Sequence, residues 1–296
     1  MVVAAALGRP HPRWLILLFL AVLACFVVSG ACGLLYQVVW TRRLVLLFGS
    51  TAFAVSTLLS VFFLGLGLGG WWGGRLAQRT VRPVWWYGVF EIAIGVWAVA
   101  FIVSLNLIEG AAVQALGAVA DSRVGGVALR AALALALLGP PVFLMGATLP
   151  LLSRFVARQG GPAAGRIGIL YAANTAGAVF GCFVTGFYLV AALGYTWTTL
   201  LGAALNVGAG VVALALARGD TPAAGSHAAE TAHRPAAPPE PHRWPVFAVM
   251  AAFGFCLLAL EVLWTRLLAI VFLGTTYAYT AMLTTLLVGI AVGSAL

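Results

Sequence analysis

Long apolar segments separated by short polar stretches run along most of this chain. A helix needs about 20 apolar residues to cross the hydrocarbon core of a bilayer. The segment 167–217 carries no charge and is long enough for two crossings, so we divide it near Gly194, where Ala-Leu-Gly-Tyr permits a tight turn. The pattern predicts an all-α polytopic membrane protein with eight spans: Trp14–Tyr36, Thr51–Gly73, Val84–Ile108, Ala131–Ser153, Ile167–Val190, Thr196–Ala217, Trp244–Leu268 and Gly274–Leu296.

Composition supports the membrane assignment. Hydrophobic residues make up 63% of the chain and charged residues 8%, whereas soluble domains carry about 25% charged residues. The net charge of +9 comes from Arg residues scattered between apolar segments, with no basic stripe interleaved with aromatic residues. We therefore expect the lipid bilayer as the main partner and no nucleic acid.

The distribution of Arg predicts the orientation. With a cytoplasmic N-terminus, eleven Arg lie on the cytoplasmic side and five on the other, and the positive-inside rule favours that arrangement. The cytoplasmic set is Arg9, Arg13, Arg75, Arg79, Arg82, Arg154, Arg158, Arg166, Arg218, Arg234 and Arg243, and the opposite set is Arg42, Arg43, Arg123, Arg130 and Arg266. We expect a multi-pass protein of a bacterial-type inner membrane.

One segment of the chain occurs twice. Trp40-Thr41-Arg42 recurs as Trp264-Thr265-Arg266, an offset of 224 residues, and the ungapped alignment of 29–72 with 253–296 has 14 identities in 44 positions. Six spans separate the starts of the two copies, and an even number of crossings keeps both copies in the same orientation. Such a parallel repeat is typical of the two halves of major facilitator transporters. The recurrence also argues against a cleaved signal peptide at the N-terminus.

The repeat suggests a domain organisation. We predict a cytoplasmic N-terminus at 1–13, a major-facilitator-like six-helix half at 14–217, a Pro- and Ala-rich cytoplasmic linker at 218–243, and the first two helices of a second half at 244–296. The composition of the linker cannot bury a core. Its histidines, His227, His233 and His242, are irregularly spaced and predict no metal site. We expect the chain to be the front part of a longer protein.

Several sequence blocks resemble a known family. These are SGACGLLYQVVWTRRL from Ser29, FGSTAFAVSTLL from Phe48, GLGLGGWWGGRLAQR from Gly65, PPVFLMGATLPLLSR from Pro140 and GILYAANTAGAVFG from Gly168. In that order they resemble the membrane part of the fused major-facilitator/spermidine-synthase-like proteins. The resemblance implies that a cytosolic aminopropyltransferase domain follows the membrane part and uses decarboxylated S-adenosylmethionine and a polyamine acceptor.

This chain itself contains no such domain. A nucleoside cofactor would require a glycine-rich loop after a strand and an acidic residue downstream, and the glycines between Gly65 and Gly74 belong to a membrane span instead. We therefore assign no catalytic, cofactor-binding or metal residue. Whether the protein is an enzyme stays open, and decarboxylated S-adenosylmethionine is expected only if a synthase domain follows.

Polar residues inside the spans are the candidate site. A charge at the bilayer centre costs about 2.5–3.5 kcal/mol on insertion scales and often marks function. Glu261 aligns with Gln37 in the repeat, and both precede the Trp-Thr-Arg triplet. We predict an intramembrane polar network of Gln37, Arg42, Glu261 and Arg266 near the outer mouth of the bundle. It would gate or recognise a polar solute such as a cationic amine, or alternatively clamp the two halves together.

Two further residues are secondary candidates for a cavity lining. Glu91 follows Trp85-Trp86-Tyr87 in the third span, and Asn174 lies in the fifth, within one of the family-like blocks, so we rank it above Asn206. The alternatives are an interfacial anchor for Glu91 and helix-to-helix hydrogen bonds for either residue. The glycines spaced by four at Gly65-Gly69-Gly73, Gly177-Gly181 and Gly289-Gly293 predict close helix packing.

Three functions agree with these observations. The first is the membrane module of a fused spermidine-synthase-like protein, linked to polyamine synthesis or movement. The second is a stand-alone secondary transporter of a small polar solute. The third is a structural membrane anchor.

Overall fold

The computed structural model describes residues 13–49, 52–119, 121–159, 163–219, 243–271 and 276–295, and in these ranges it contains helices and no strand. The eight α-helices are α1 (Arg13–Phe48), α2 (Ala52–Arg79), α3 (Pro83–Ala118), α4 (Arg123–Arg158), α5 (Ala163–Val184), α6 (Val190–Leu216), α7 (Arg243–Val271) and α8 (Thr276–Ala295). A π-helical turn, Thr185–Leu189, joins α5 to α6. Most of the N-terminal segment, with Arg9, and most of the linker, with its three histidines, lie outside the described residues.

Within the described residues, six helical segments are long and apolar enough to cross a membrane, and one of them is the 54-residue segment Ala163–Leu216. The chain is thus an all-α, multi-pass membrane protein. The backbone leaves the helical conformation at Gly194, whose φ of 73° is readily adopted only by glycine.

Helix directions show that this long segment is two antiparallel arms. Gly177 and Gly181 of α5 meet Val27 and Ala31 of α1 in the same order, so these two helices run in parallel. In contrast, α6 runs antiparallel to α1. Its beginning meets the later part of α1, where Gly202 packs against Tyr36, and its end shares a core cluster with the early part of α1. The predicted division near Gly194 is confirmed.

The helices extend beyond the spans predicted from hydropathy. The first span was expected to end at Tyr36, whereas α1 continues to Phe48 and includes Arg42 and Arg43. No glycine or proline interrupts the chain between Tyr36 and Gly49, and Arg side chains near a helix end can reach water or headgroups. The Trp-Thr-Arg triplet therefore lies within the last turns of α1 rather than in a loop.

Glycines set the closest helix contacts. The most extensive contacts are those of α2 with α4, α3 with α6, and α1 with α5. A Cβ atom added at Gly95 would lie 2.8 Å from the carbonyl oxygen of Ala203, and one added at Gly73 would lie 2.6 Å from the Cα of Ala147. The predicted packing role is confirmed for Gly65, Gly69, Gly73, Gly177 and Gly181.

Two arginines of α4 donate hydrogen bonds to backbone carbonyl groups at or near the ends of other helices. The Arg158 guanidinium donates to the carbonyl oxygens of Thr80 at 3.0 Å and Val81 at 2.9 Å, in the turn between α2 and α3. At the other end of α4, Arg130 Nε donates to the Phe48 carbonyl oxygen at 3.1 Å. Arg130 thereby satisfies a carbonyl group at the end of a helix, where intrahelical partners are lacking, and Arg158 satisfies two carbonyl groups of the turn that follows α2.

The last two helices contact less of the described chain. Helix α8 packs against α5 and α7, whereas α7 makes most of its contacts with α8. An apolar cleft of about 980 Å³ separates α7 from α8. We call it the α7–α8 cleft. It is lined by Leu257, Leu260, Glu261 and Trp264 of α7 and by Met282, Leu286 and Gly289 of α8.

Candidate functional site

A buried carboxylate holds three helices together in the first part of the bundle. Glu91 of α3 is fully buried. Ser29 Oγ of α1 donates to Glu91 Oε1 at 2.6 Å, and Asn206 Nδ2 of α6 donates to Glu91 Oε2. The Tyr36 hydroxyl of α1 donates to Asn206 Oδ1 at 2.8 Å. We call these four residues the Glu91 cluster.

Packing around the Glu91 cluster fixes its geometry. The Tyr36 ring stacks on Trp40 with centroids 4.5 Å apart, and Trp40 stacks on Phe101 at 4.8 Å. Trp40 is completely buried. The Tyr87 side chain neighbours the Glu91 carboxylate, but its hydroxyl makes no hydrogen bond of standard geometry within the described residues. The donors to the Glu91 carboxylate, a hydroxyl and an amide, are neutral groups. This is expected if Glu91 serves as a structural link between helices.

Close helix approach brings Glu91 and Asn206 together. Glu91 lies between Gly88 and Gly95 on α3, and those glycines pack against Gly210 and Ala203 of α6. Asn206 lies midway between Gly202 and Gly210. Sequence reasoning ranked Asn206 below Asn174 and missed this pair. A feature of the sequence could have indicated the pair. Each of the two polar residues lies between two glycines, which are seven residues apart around Glu91 and eight apart around Asn206.

Asn174 lies elsewhere. It is half-buried on α5, where it meets Gly30 of α1. A Cβ atom added at Gly30 would lie 2.8 Å from Asn174 Oδ1. Asn174 therefore belongs to the contact between α1 and α5, and it is not a member of the Glu91 cluster.

A second polar group lies where the two copies of the repeat meet. Tyr279 of α8 lies close to the side chains of Gln37 and Thr41 of α1 and within electrostatic range of Glu261 of α7. Gln37, Thr41 and Glu261 are buried. We call these four residues the inter-repeat cluster. The structure thus places Gln37 close to a tyrosine that also feels the charge of Glu261, its equivalent in the repeat.

The inter-repeat cluster has unused hydrogen-bonding capacity. Glu261 Oε1 is buried without a hydrogen-bond partner among the described residues, whereas the Tyr279 hydroxyl lies near Thr41 and Gln37 but makes no hydrogen bond of standard geometry there. Glu261 is 2% exposed and also lines the α7–α8 cleft. A buried acceptor of this kind is expected to be satisfied by a donor, so the cluster suits a ligand that carries N–H groups.

The two predicted arginines occupy different helix faces from Gln37 and Glu261. Arg42 and Arg266 each follow their polar partner by five residues, which is about 140° around an α-helix. Arg42 is half-buried on α1, whereas Arg266 is exposed on α7. Helix geometry therefore separates the arginines of the predicted network from its two central residues.

Potential metal ligands do not form a cluster in the described part of the chain. It contains no group of three or more His, Cys, Asp or Glu side chains that could hold a metal ion. The four cysteines are free, and Cys25, Cys32 and Cys182 are buried while Cys256 is exposed. The Thr284 hydroxyl lies 3.4 Å from Cys182 Sγ, at the contact between α8 and α5.

Comparisons with family models, curated proteins and solved structures found no match for this chain. The two polar clusters must therefore be interpreted from their own chemistry and from the symmetry of the helices that hold them.

Proposed function

We propose that this chain is the membrane module of a major-facilitator-type protein that recognises and moves a small cationic solute. The observation that carries the proposal is the symmetry of the helix contacts. We pair α1, α2 and α3 with α4, α5 and α6, in that order, and exchange the members of each pair. The contact of α2 with α4 then corresponds to the contact of α5 with α1, and both contacts are extensive. The same exchange converts the contact of α1 with α6 into that of α4 with α3, and leaves α3 with α6 unchanged.

The two helix triplets, α1–α3 and α4–α6, are related by inversion in the membrane. Three crossings separate the start of α1 from the start of α4, so the two triplets have opposite orientations in the membrane. An inverted repeat of three plus three helices, combined with a parallel repeat that begins again at α7, is the organisation of major facilitator transporters. Both repeats support the proposed architecture.

The inter-repeat cluster suggests the chemistry of the solute. Transporters built from repeats bind their substrates at the interface between repeats. Here that interface contains the Glu261 carboxylate with one unpartnered oxygen and the Tyr279 hydroxyl. A carboxylate in an otherwise apolar region would bind a cation or an N–H donor more strongly than a neutral solute. A small organic amine satisfies this requirement.

The identity of the amine is proposed on the resemblance. The family-like blocks suggest a polyamine, and a synthase domain that uses decarboxylated S-adenosylmethionine would then follow or associate with the membrane module. The Arg distribution supports an inner-membrane location with a cytoplasmic N-terminus. A structural anchor, in which Gln37 and Glu261 only hold the repeats together, is the alternative that an experiment must separate.

Uptake into liposomes tests the proposal. The protein at its natural length would be reconstituted, and uptake of radiolabelled spermidine and putrescine would be measured. We expect Glu261→Gln to reduce uptake at least tenfold, because it removes the negative charge and keeps the size of the side chain. Glu109→Gln is the matched control, since Glu109 is an exposed acidic residue of α3. Equal uptake by both variants and the wild type would contradict the proposal.

A further inference from the structure

We infer that one anionic phospholipid binds to the bundle near the turn where α2 ends and α3 begins, with an acyl chain in an apolar groove between these helices and its phosphate on Arg75. The inference concerns a lipid at the outer surface of the bundle and does not rest on the proposed transport function.

One face of α2 changes from apolar to cationic towards the end of the helix. Leu64, Leu68, Trp71, Arg75 and Arg79 are spaced by three or four residues, so they lie along one face, and all of them are exposed. Tryptophan prefers the boundary between hydrocarbon and headgroups. Arg75 follows Trp71 by four residues, about 6 Å along the helix axis, and the headgroup layer is about 5–8 Å thick on each side. Arg75 therefore lies at the depth of the lipid phosphates.

The Arg75 guanidinium is positioned by Trp71. Its Cζ lies 3.5 Å from the centroid of the Trp71 ring. Stacking uses the flat face of the guanidinium, whereas its N–H donors lie in its plane, where they can form paired hydrogen bonds with a phosphate. The pair thus presents a positioned cation at the level of the headgroups.

Charge complementarity favours an anion at this place. Arg79 and Arg82 follow Arg75 closely and are exposed, and the sequence from Leu64 to Phe90 contains no acidic residue. Arg158 of α4 adds a further positive charge, since it donates to the turn between α2 and α3. Basic residues clustered beside a membrane helix attract anionic lipids. A zwitterionic lipid, whose net charge is zero, gains less from these arginines.

An apolar groove of about 580 Å³ lies beside the same face of α2. Within the described residues, α2 and α3 both pack against α4 and make no extensive contact with each other. Helix α4 therefore forms the floor of the groove, and the other two helices form its walls. We call it the α2–α3 groove. Its lining includes Leu64 and Leu68 of α2, Ala93 and Trp97 of α3, and Pro140 and Phe143 of α4.

A hydrogen bond fixes one wall of the groove to its floor. Pro141 has no N–H, so the Leu137 carbonyl oxygen of α4 lacks its usual partner within the helix, and Trp97 Nε1 donates to it at 2.9 Å. The groove also lies on the side of α3 opposite the Glu91 cluster, because Ala93 is about 200° from Glu91 around the helix. The groove is thus preformed and separate from the buried polar residues.

The groove leads towards the arginine. Leu68 lines the groove and lies two turns before Arg75 on the same face of α2. Trp72 packs against Phe143 of the groove, with ring centroids 5.3 Å apart, and extends the apolar lining in the same direction. An acyl chain in the groove would therefore place its glycerol beside Trp71 and its phosphate beside Arg75.

Photo-crosslinking in vesicles tests the inference. The protein at its natural length, with a benzophenone amino acid in place of Leu68, would be reconstituted in phosphatidylcholine that contains a minor fraction of phosphatidylglycerol, and the attached lipids would be identified by mass spectrometry. Val103 is the control position, because it is exposed on α3 and does not line the groove. We expect the share of phosphatidylglycerol among the adducts to be about fivefold higher at Leu68 than at Val103, since one basic residue near the membrane surface favours an anionic lipid by about that factor.

Two substitutions locate the headgroup. Arg75→Gln removes the charge and keeps a hydrogen-bonding side chain, so we expect it to remove most of the phosphatidylglycerol enrichment at Leu68. Arg123→Gln is the matched control, because Arg123 is exposed at the opposite end of the bundle and should leave the enrichment unchanged.

Three results would overturn the inference. The first is an equal share of phosphatidylglycerol at Leu68 and Val103. The second is full enrichment at Leu68 in the Arg75→Gln variant. The third is a set of adducts at Leu68 that consist of protein, from the same chain or from a second copy, instead of lipid.

Discussion

The side-chain amide of Asn206 donates a hydrogen bond to the carboxylate of Glu91 across the contact between α6 and α3, although 115 residues separate them in the chain. Two intramembrane polar residues on different helices thus satisfy each other, and Ser29 completes the set from a third helix. These hydrogen bonds fix the positions of α3 and α6 relative to α1.

We expect Asn206→Leu to lower the free energy of unfolding by about 1–3 kcal/mol, because it leaves one oxygen of a buried carboxylate without its donor. In a double-mutant cycle with Glu91→Leu, the two losses should not add, since either change removes the same interaction. Unfolding in mixed micelles would measure both effects. Asn106→Leu is the control, because Asn106 is exposed on α3. Additive losses would show that the pair contributes nothing beyond its separate members.

A second prediction concerns the contact between α3 and α6. Gly95→Leu should lower the free energy of unfolding by about 1–3 kcal/mol, because overpacking forces helices apart, and the added Cβ would lie 2.8 Å from the Ala203 carbonyl oxygen. Gly110→Leu on the same helix meets open space and should leave stability unchanged or slightly higher. Thermal unfolding followed by size-exclusion chromatography would compare the two variants. Equal midpoints would show that the glycine contact is unimportant.

A third prediction concerns the arginine at the end of α4. Arg158→Ala removes the two hydrogen bonds to the carbonyl oxygens of Thr80 and Val81, so the turn between α2 and α3 should open more often. We expect trypsin to cleave after Arg79 several times faster when the side of the membrane that carries this turn is accessible to the protease. Cleavage after Arg218, which is exposed at the end of α6, is the internal reference. An unchanged ratio of the two cleavage rates would count against this role for Arg158.

A fourth prediction separates solute recognition from a structural clamp at the inter-repeat cluster. The exposed Cys256 would first be changed to Ser, and Gln37→Cys introduced in that background. Under the proposed function, spermidine should slow labelling of this cysteine by a small cationic thiosulfonate reagent at least threefold. Asn106→Cys on the exposed part of α3 should label at the same rate with and without spermidine. A clamp that binds no solute would give no protection at either position.

Much of the fold could be predicted from the sequence. Apolar segments of the required length predicted eight spans, because a backbone in hydrocarbon must satisfy its own hydrogen bonds and therefore forms helices. The break near Gly194 followed from its turn-forming sequence. The ends of the helices did not follow, since the polar residues Thr41, Arg42 and Arg43 interrupt the apolar pattern, whereas α1 remains helical to Phe48.

The candidate site was predicted only in part. The repeat alone indicated that Gln37 and Glu261 are related, and in the structure Tyr279 lies close to Gln37 and within electrostatic range of Glu261. Tyr279 was missed because it lies in α8, outside the aligned identities, and its role depends on how α8 packs. Asn206 was ranked too low for a similar reason, because the role of an amide within a span depends on which polar group of another helix lies beside it.

The sequence by itself determined which segments are helices, where the long apolar segment turns, and that α7 and α8 repeat the start of the chain. These properties depend on local composition and on identity between positions. Only the tertiary structure decided that Glu91 pairs with Ser29 and Asn206, because helices in a bilayer associate through shape and a few polar contacts rather than through overall hydrophobicity. The pairing of helices fixes which of their polar residues meet.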